Sequence, residues 1–183
     1  MEYKHYWNKP KKISKKDWTN FAELARDIIN SGKVPICDDI NSVFEAEISY
    51  NLIKFNGVDS DTHGTFYFTR TADEYEIKGN LAFNFCSTAR KPYDIYVTAI
   101  LILAKFCFQD KINISSDGSI TDWLSGFYLV KSVIPDIIMI QDYPNAVDKM
   151  RFEVKQAIVI EEKEVELSPE QQKKFDEIQN LIG

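Results

Sequence analysis

The adjacent cations Arg90 and Lys91 are the residues in this sequence best placed to bind a ligand. Pro92 follows directly, and proline suits the first turn of a helix, where its missing N–H costs nothing. Residues 93–108 then hold 13 apolar residues of 16, which predicts a helix from this point. A helix N-terminus beside two cations could bind a phosphate, a nucleic-acid backbone or a carboxylate. The alternative is an internal ion pair of Arg90 with Asp94 or another acid of the domain.

Catalytic chemistry has few candidate residues. The chain has two histidines, His5 and His63, and no phosphate loop, dinucleotide fingerprint or zinc-protease motif. The cations after Cys86 would lower the pKa of its thiol, but its apolar neighbours favour a buried and unreactive side chain. The chain has three cysteines, Cys37, Cys86 and Cys107. Their odd number and their spacing fit neither a disulfide framework nor a zinc site. The sequence therefore predicts a protein that is not an enzyme and uses no cofactor.

A metal site is the weaker interpretation of residues 59–64. This segment places Asp, Asp, His and Gly at the first, third, fifth and sixth positions of a calcium loop. The twelfth position should be a bidentate glutamate, and here it is Arg70. We expect a polar hairpin loop and no bound metal.

Charge divides the chain into a basic start and an acidic body. Residues 1–16 hold one acid and six lysines, and the remaining residues hold 27 acidic and 16 basic side chains. The six are Lys4, Lys9, Lys11, Lys12, Lys15 and Lys16. We expect residues 1–13 to form a basic N-terminal arm, mobile over residues 1–12, that contacts nucleic acid or an acidic protein patch. The acidic body could instead face a basic, nucleic-acid-handling partner, or the lysines could be an ordinary solvated tail.

Length and composition predict one domain, residues 14–183. A chain of 183 residues that is 44% hydrophobic can bury one sizeable core. Its first residues hold no apolar run and it has no apolar segment of about 20 residues, so we expect no signal peptide, no membrane contact and a reducing cytoplasm.

Helical periodicity predicts the helices that position these residues. Ser14 is a suitable N-cap for a first helix that ends near Gly32, a candidate for a left-handed C-cap. Residues 93–108 form the central buried helix, and a further helix covers residues 121–133. The clearest N-terminal signal starts a C-terminal helix over residues 169–182.

Alternation of apolar and polar residues predicts the strands. They cover residues 43–55, 65–70, 81–86, 111–115 and 152–160, with a turn at Asn56-Gly57, whereas residues 137–140 fit a strand or a buried helix equally. The predicted fold class is α+β, with an antiparallel or mixed sheet of about four to six strands packed on helices.

Four segments together resemble a widespread group of small, mostly unnamed proteins of phages and other bacterial mobile elements. They read FNGV (55–58), TFYF (65–68), FCSTARKPYD (85–94) and SSDG (115–118), and the TARKPYD run is the most specific. The resemblance covers about residues 50–125 and assigns no activity to any residue.

In size, acidity and lack of catalytic motifs the chain also resembles type II anti-CRISPR proteins, which inhibit Cas9. This similarity implies a non-catalytic protein that binds Cas9 or the Cas9–guide RNA complex. The alternative is a phage accessory protein that binds nucleic acid or a nucleotide through the N-terminal lysines and Arg90-Lys91.

Overall fold

Helices and antiparallel sheets share one core in the computed structural model, which describes residues 2–141 and 147–154. The helices are α1 (Lys15–Ser31), α2 (Asp94–Phe108) and α3 (Ile120–Val133). The strands are β1 (Lys4–Pro10), β2 (Ile36–Cys37), β3 (Glu47–Ile48), β4 (Leu52–Gly57), β5 (Phe66–Thr69), β6 (Ile77–Lys78), β7 (Leu81–Ser87), β8 (Asn113–Ser116), β9 (Ile137–Gln141) and β10 (Met150–Val154). The predicted α+β class is confirmed.

The predicted central helix is α2. Ten of its 15 residues are buried, because its polar side chains occupy one narrow strip and every other side is apolar. It begins at Asp94, and Pro92 lies in the turn just before it. α1 and α3 pack against it. Gly126 of α3 lets the two helices approach closely, because a Cβ at this position would collide with Thr98.

The predicted mobile N-terminal arm is wrong. β1 is an interior strand of a four-stranded sheet with the order β6-β7-β1-β8. Both of its neighbours run antiparallel to it, and Tyr6 pairs with Phe85 on one side and with Ser115 on the other. Backbone hydrogen bonds on both sides therefore fix this segment in the sheet.

Side-chain alternation explains why β1 forms. His5, Trp7 and Lys9 point inward and are buried, while the residues between them point outward. The Trp7 ring lies 5.3 Å from the Phe66 ring and 5.8 Å from the Phe68 ring, measured between centroids. The tryptophan thus joins the first sheet to the second.

The second sheet has the order β2-β4-β3, with β5 also paired to β4. The single strand predicted over residues 43–55 is therefore wrong: it divides into β3 and β4, and residues 38–46 form a loop. The Asn56-Gly57 pair ends β4 rather than starting a turn.

α1 begins as predicted and ends differently. Asp17 N–H donates to Ser14 Oγ at 3.1 Å, which caps the helix. Gly32 has φ −81°, so it is extended rather than left-handed. Glycine is required there because a Cβ would collide with the Tyr96 ring.

The last two described strands, β9 and β10, pair antiparallel. Residues 137–140 belong to a strand, which decides between the two interpretations. The predicted strand over 152–160 begins within β10 and leaves the described residues after 154, and the predicted helix over 169–182 lies outside them. Among the described helices, none has the length and apolar character to cross a membrane.

Candidate functional site

Arg90 is engaged within the domain. Its guanidinium forms an ion pair with Asp122 and lies over the Tyr3 ring, 4.0 Å from the centroid. This contact lowers the pKa of the Asp122 carboxyl. Asp122 also accepts a hydrogen bond from Ser119 N–H at the start of α3. Of the two interpretations of Arg90, the structure has the internal ion pair, and the acid in this pair is Asp122 rather than Asp94.

Lys91 also has internal partners. Its Nζ donates to the Ser60 carbonyl at 2.6 Å and lies 3.9 Å from Asp61 Oδ1. The lysine therefore ties the start of α2 to the loop that follows β4. This loop is the segment with partial calcium-loop spacing, and the described residues contain no cluster of three potential metal ligands.

The N-terminus of α2 carries an acid of its own chain. Asp94 Oδ1 accepts a hydrogen bond from Thr88 Oγ1 at 2.5 Å and lies 2.8 Å from His5 Nε2. A carboxylate at this end of a helix is stabilised by the helix dipole. It therefore fills the role that an external anion would take in the predicted site.

His5 links three elements in the interior. Its ring lies between Asp94 and Ser116, with Nδ1 at 3.0 Å from Ser116 Oγ. A serine, a histidine and an aspartate in a row are the components of nucleophilic catalysis. Here the ring is fully buried, and Ser116 Oγ also accepts from Gly118 N–H at 3.0 Å. The arrangement holds β1, β8 and α2 together, and no local sequence pattern pointed to it.

The six N-terminal lysines do not form one surface. Lys4 points outward and pairs with Glu2 at 2.5 Å, whereas Lys9 is buried on the opposite face of β1. Burial lowers the pKa of Lys9 to about 8. The four that remain are exposed: Lys11, Lys12, Lys15 and Lys16.

Cys86 is buried, as its apolar context predicted. Burial raises the pKa of its thiol, and the thiol donates to the Gly64 carbonyl at 3.3 Å. A thiol with a raised pKa is a poor nucleophile at neutral pH.

The loop between β2 and β3 exposes apolar side chains among acids. Ile40, Val43 and Phe44 are 52%, 92% and 71% exposed. We call residues 38–46 together with Glu47, the first residue of β3, the acidic loop, because four carboxylates flank these side chains: Asp38, Asp39, Glu45 and Glu47. The apolar–polar alternation predicts a strand over residues 43–55 that includes Phe44, and so it misses this surface.

The acidic loop is held by its own hydrogen bonds. Asp38 N–H donates to the Phe44 carbonyl at 3.1 Å, and Phe44 N–H donates to Ser42 Oγ at 3.1 Å. The Asp39 carboxylate pairs with Lys54 at 2.7 Å, and this contact holds the pKa of Asp39 at about 2. Ordering the backbone in advance reduces the entropy lost when such a loop binds a partner.

Comparison of the chain with known proteins found no matching family, no matching curated protein and no matching solved structure.

Proposed function

We propose that this chain is a phage or mobile-element protein that inhibits Cas9 by binding it, without catalysing a reaction. The observation that carries the proposal is the acidic loop, which presents Val43 and Phe44 on an ordered backbone among carboxylates. The resemblance of the TARKPYD region to mobile-element proteins supports an origin in a phage or another mobile element. On this proposal the protein acts in the cytoplasm of the bacterial host.

Charge complementarity favours Cas9 as the partner. Cas9 holds its guide–target heteroduplex in a positively charged channel. This protein has a net charge of −6, and Glu45 and Glu47 beside Phe44 are exposed. Opposite potentials steer the two surfaces together, and a desolvated aromatic side chain supplies much of the binding energy.

The alternative, nucleic-acid binding through the N-terminal lysines and Arg90-Lys91, has less support. Lys9 is buried, and both Arg90 and Lys91 are bonded to groups of their own chain. These residues therefore do not converge on one ligand.

A cleavage assay tests the proposal. Purified Cas9, guide RNA and target DNA are mixed with this protein, added either before or after guide loading. We expect inhibition in at least one order, and we expect Phe44→Ser to weaken it roughly tenfold or more, as loss of a central aromatic contact does. Tyr128→Ser is the matched control, because Tyr128 is a similarly exposed ring on α3.

Two results would contradict the proposal. One is full cleavage at a large molar excess, in both orders and with several Cas9 orthologues. The other is inhibition that Phe44→Ser and Tyr128→Ser leave equally intact, which would exclude the acidic loop.

A further inference from the structure

The outward face of the sheet that contains β1 carries three aromatic rings and two lysines among small polar residues. Lys4 and Tyr6 of β1, Phe83 and Phe85 of β7 and Lys78 of β6 point to this side, and we call these five residues the open face. Phe85 is 55% exposed. The outward positions of the four strands include no acid. Tyr6 and Phe83, beside Phe85, are half-buried, and a cluster of partly exposed rings is typical of a binding surface.

The three rings of the open face lie side by side. The Tyr6 centroid is 6.4 Å from that of Phe83, with the planes 21° apart. It is also 6.4 Å from the centroid of Phe85, at 38°. Phe83 and Phe85 are two residues apart on one strand, which makes their spacing about 7 Å. The three rings therefore form one cluster, in which the planes of Tyr6 and Phe83 are nearly parallel.

Both cations of the open face lie against these rings. Lys4 Nζ is 5.6 Å from the Phe85 centroid, and Lys78 Nζ is 4.8 Å from the Phe83 centroid. Each ammonium group thus lies over one face of its ring. Two acids border the open face on the Lys4 side: Glu2 pairs with Lys4, and Asp117 accepts a hydrogen bond from the Tyr6 hydroxyl at 3.3 Å.

We propose that the open face binds single-stranded DNA, with bases stacked on Tyr6, Phe83 and Phe85 and phosphates beside Lys4 and Lys78. Rings that stack bases and cations that track the backbone are the two components of such sites. A duplex keeps its base planes covered, so its bases cannot reach the rings. The Tyr6 hydroxyl donates its proton to Asp117, so none of the three rings can donate a hydrogen bond to a ribose 2′-hydroxyl. This site shares no residue with the acidic loop and does not depend on Cas9 inhibition.

The test is a fluorescence anisotropy titration of the full chain with a labelled 15-nucleotide oligothymidylate at low salt. We expect binding that Phe85→Ala weakens roughly 5- to 150-fold, the range for loss of one stacked base. Phe44→Ser, on the acidic loop, is the matched control and should leave the affinity unchanged. In the reverse direction, Phe85→Ala should leave Cas9 inhibition unchanged, so the two proposals fail separately.

Salt dependence tests the two lysines. Single-stranded ligands lose affinity with a slope of about −0.7 per phosphate contact in a plot of log K against log salt, so two contacts predict about −1.4. Lys78→Gln should reduce this slope to about −0.7. An oligonucleotide that carries 5-iodouracil should cross-link to residues of the open face. This experiment uses the wild-type protein, so it does not depend on whether a variant folds.

Several results would overturn the proposal. The first is the absence of binding at low salt. The second is a Phe85→Ala variant that melts like the wild type and binds the oligonucleotide with the same affinity. The third is cross-links at residues outside the open face. Equal or tighter binding of a duplex of the same length would exclude stacking on the rings. Equal or tighter binding of oligouridylate would replace DNA with RNA as the ligand.

Discussion

Two buried polar side chains of β1 differ in how the fold satisfies them. His5 has a partner on each ring nitrogen, Asp94 and Ser116. Lys9 Nζ has no hydrogen-bond partner among the described residues and lies 5.9 Å from the centroid of the Phe68 ring. Burial of an unpaired ammonium costs free energy, and part of this cost appears as the lowered pKa of Lys9.

We predict that Lys9→Met stabilises the protein. The methionine keeps the length of the side chain and removes the buried charge, so the free energy of unfolding at pH 7 should rise by up to about 3 kcal/mol, at 1.36 kcal/mol per pKa unit. Urea unfolding of both proteins measures the difference. Lys131→Met, at an exposed position of α3, is the control and should change little. A variant less stable than the wild type would show that Lys9 is paired in solution.

The stability difference between Lys9→Met and the wild type should depend on pH, because the pKa of Lys9 differs between the folded and unfolded chain. Lys9 titrates at about 8 in the folded protein and at 10.5 when unfolded, so between these values the unfolded chain binds more protons. Its contribution to stability therefore rises as pH increases from about 8 to about 10.5, and it is constant below about 8. The advantage of Lys9→Met should shrink across this window, and an advantage that does not change with pH would exclude the lowered pKa.

At the level of elements, β1 shows how charge can obscure a strand. Six lysines in 16 residues suggested a solvated arm, yet Tyr3, His5 and Trp7 alternate with outward residues and are buried. The alternation was readable, but two of the inward side chains of β1 are a histidine and a lysine, which a hydrophobic pattern does not count. The helices were predicted more reliably, since caps and apolar periodicity are local signals.

We predict that Trp7→Ala destabilises the protein by about 3–5 kcal/mol, the usual cost of removing a buried aromatic side chain. Asn8→Ala, on the other face of the same strand, should cost far less. Chemical denaturation monitored by circular dichroism gives both values. Deletion of residues 2–10 should abolish cooperative unfolding, because it removes an interior strand. A deletion variant that melts like the wild type would restore the mobile arm.

At the scale of the whole molecule, tertiary contacts decide the features that the sequence did not predict. Local patterns predicted the fold class, α2 and three of the strands, β5, β7 and β8. The acidic loop was missed because continued alternation through Phe44 resembles a strand, and the interruption comes from turn hydrogen bonds such as that from Phe44 N–H to Ser42 Oγ. The partner of Arg90 was left open because Asp122 is 32 residues away in sequence. Contacts of this kind depend on tertiary packing.

Charge on the acidic loop predicts that association with Cas9 slows as salt rises. The acidic loop would meet a basic partner under long-range attraction, so neutralising Glu45 and Glu47 together, as E45Q/E47Q, should slow association with the Cas9–guide complex and weaken its dependence on ionic strength. The dissociation rate should change little, because exposed charges act mainly on the encounter. Stopped-flow or surface-binding kinetics from about 50 to 500 mM salt measure both rates. Glu23→Gln, at an exposed acid of α1, is the single-charge control. An association rate that is independent of salt in the wild type would show that charge does not steer this protein to its partner.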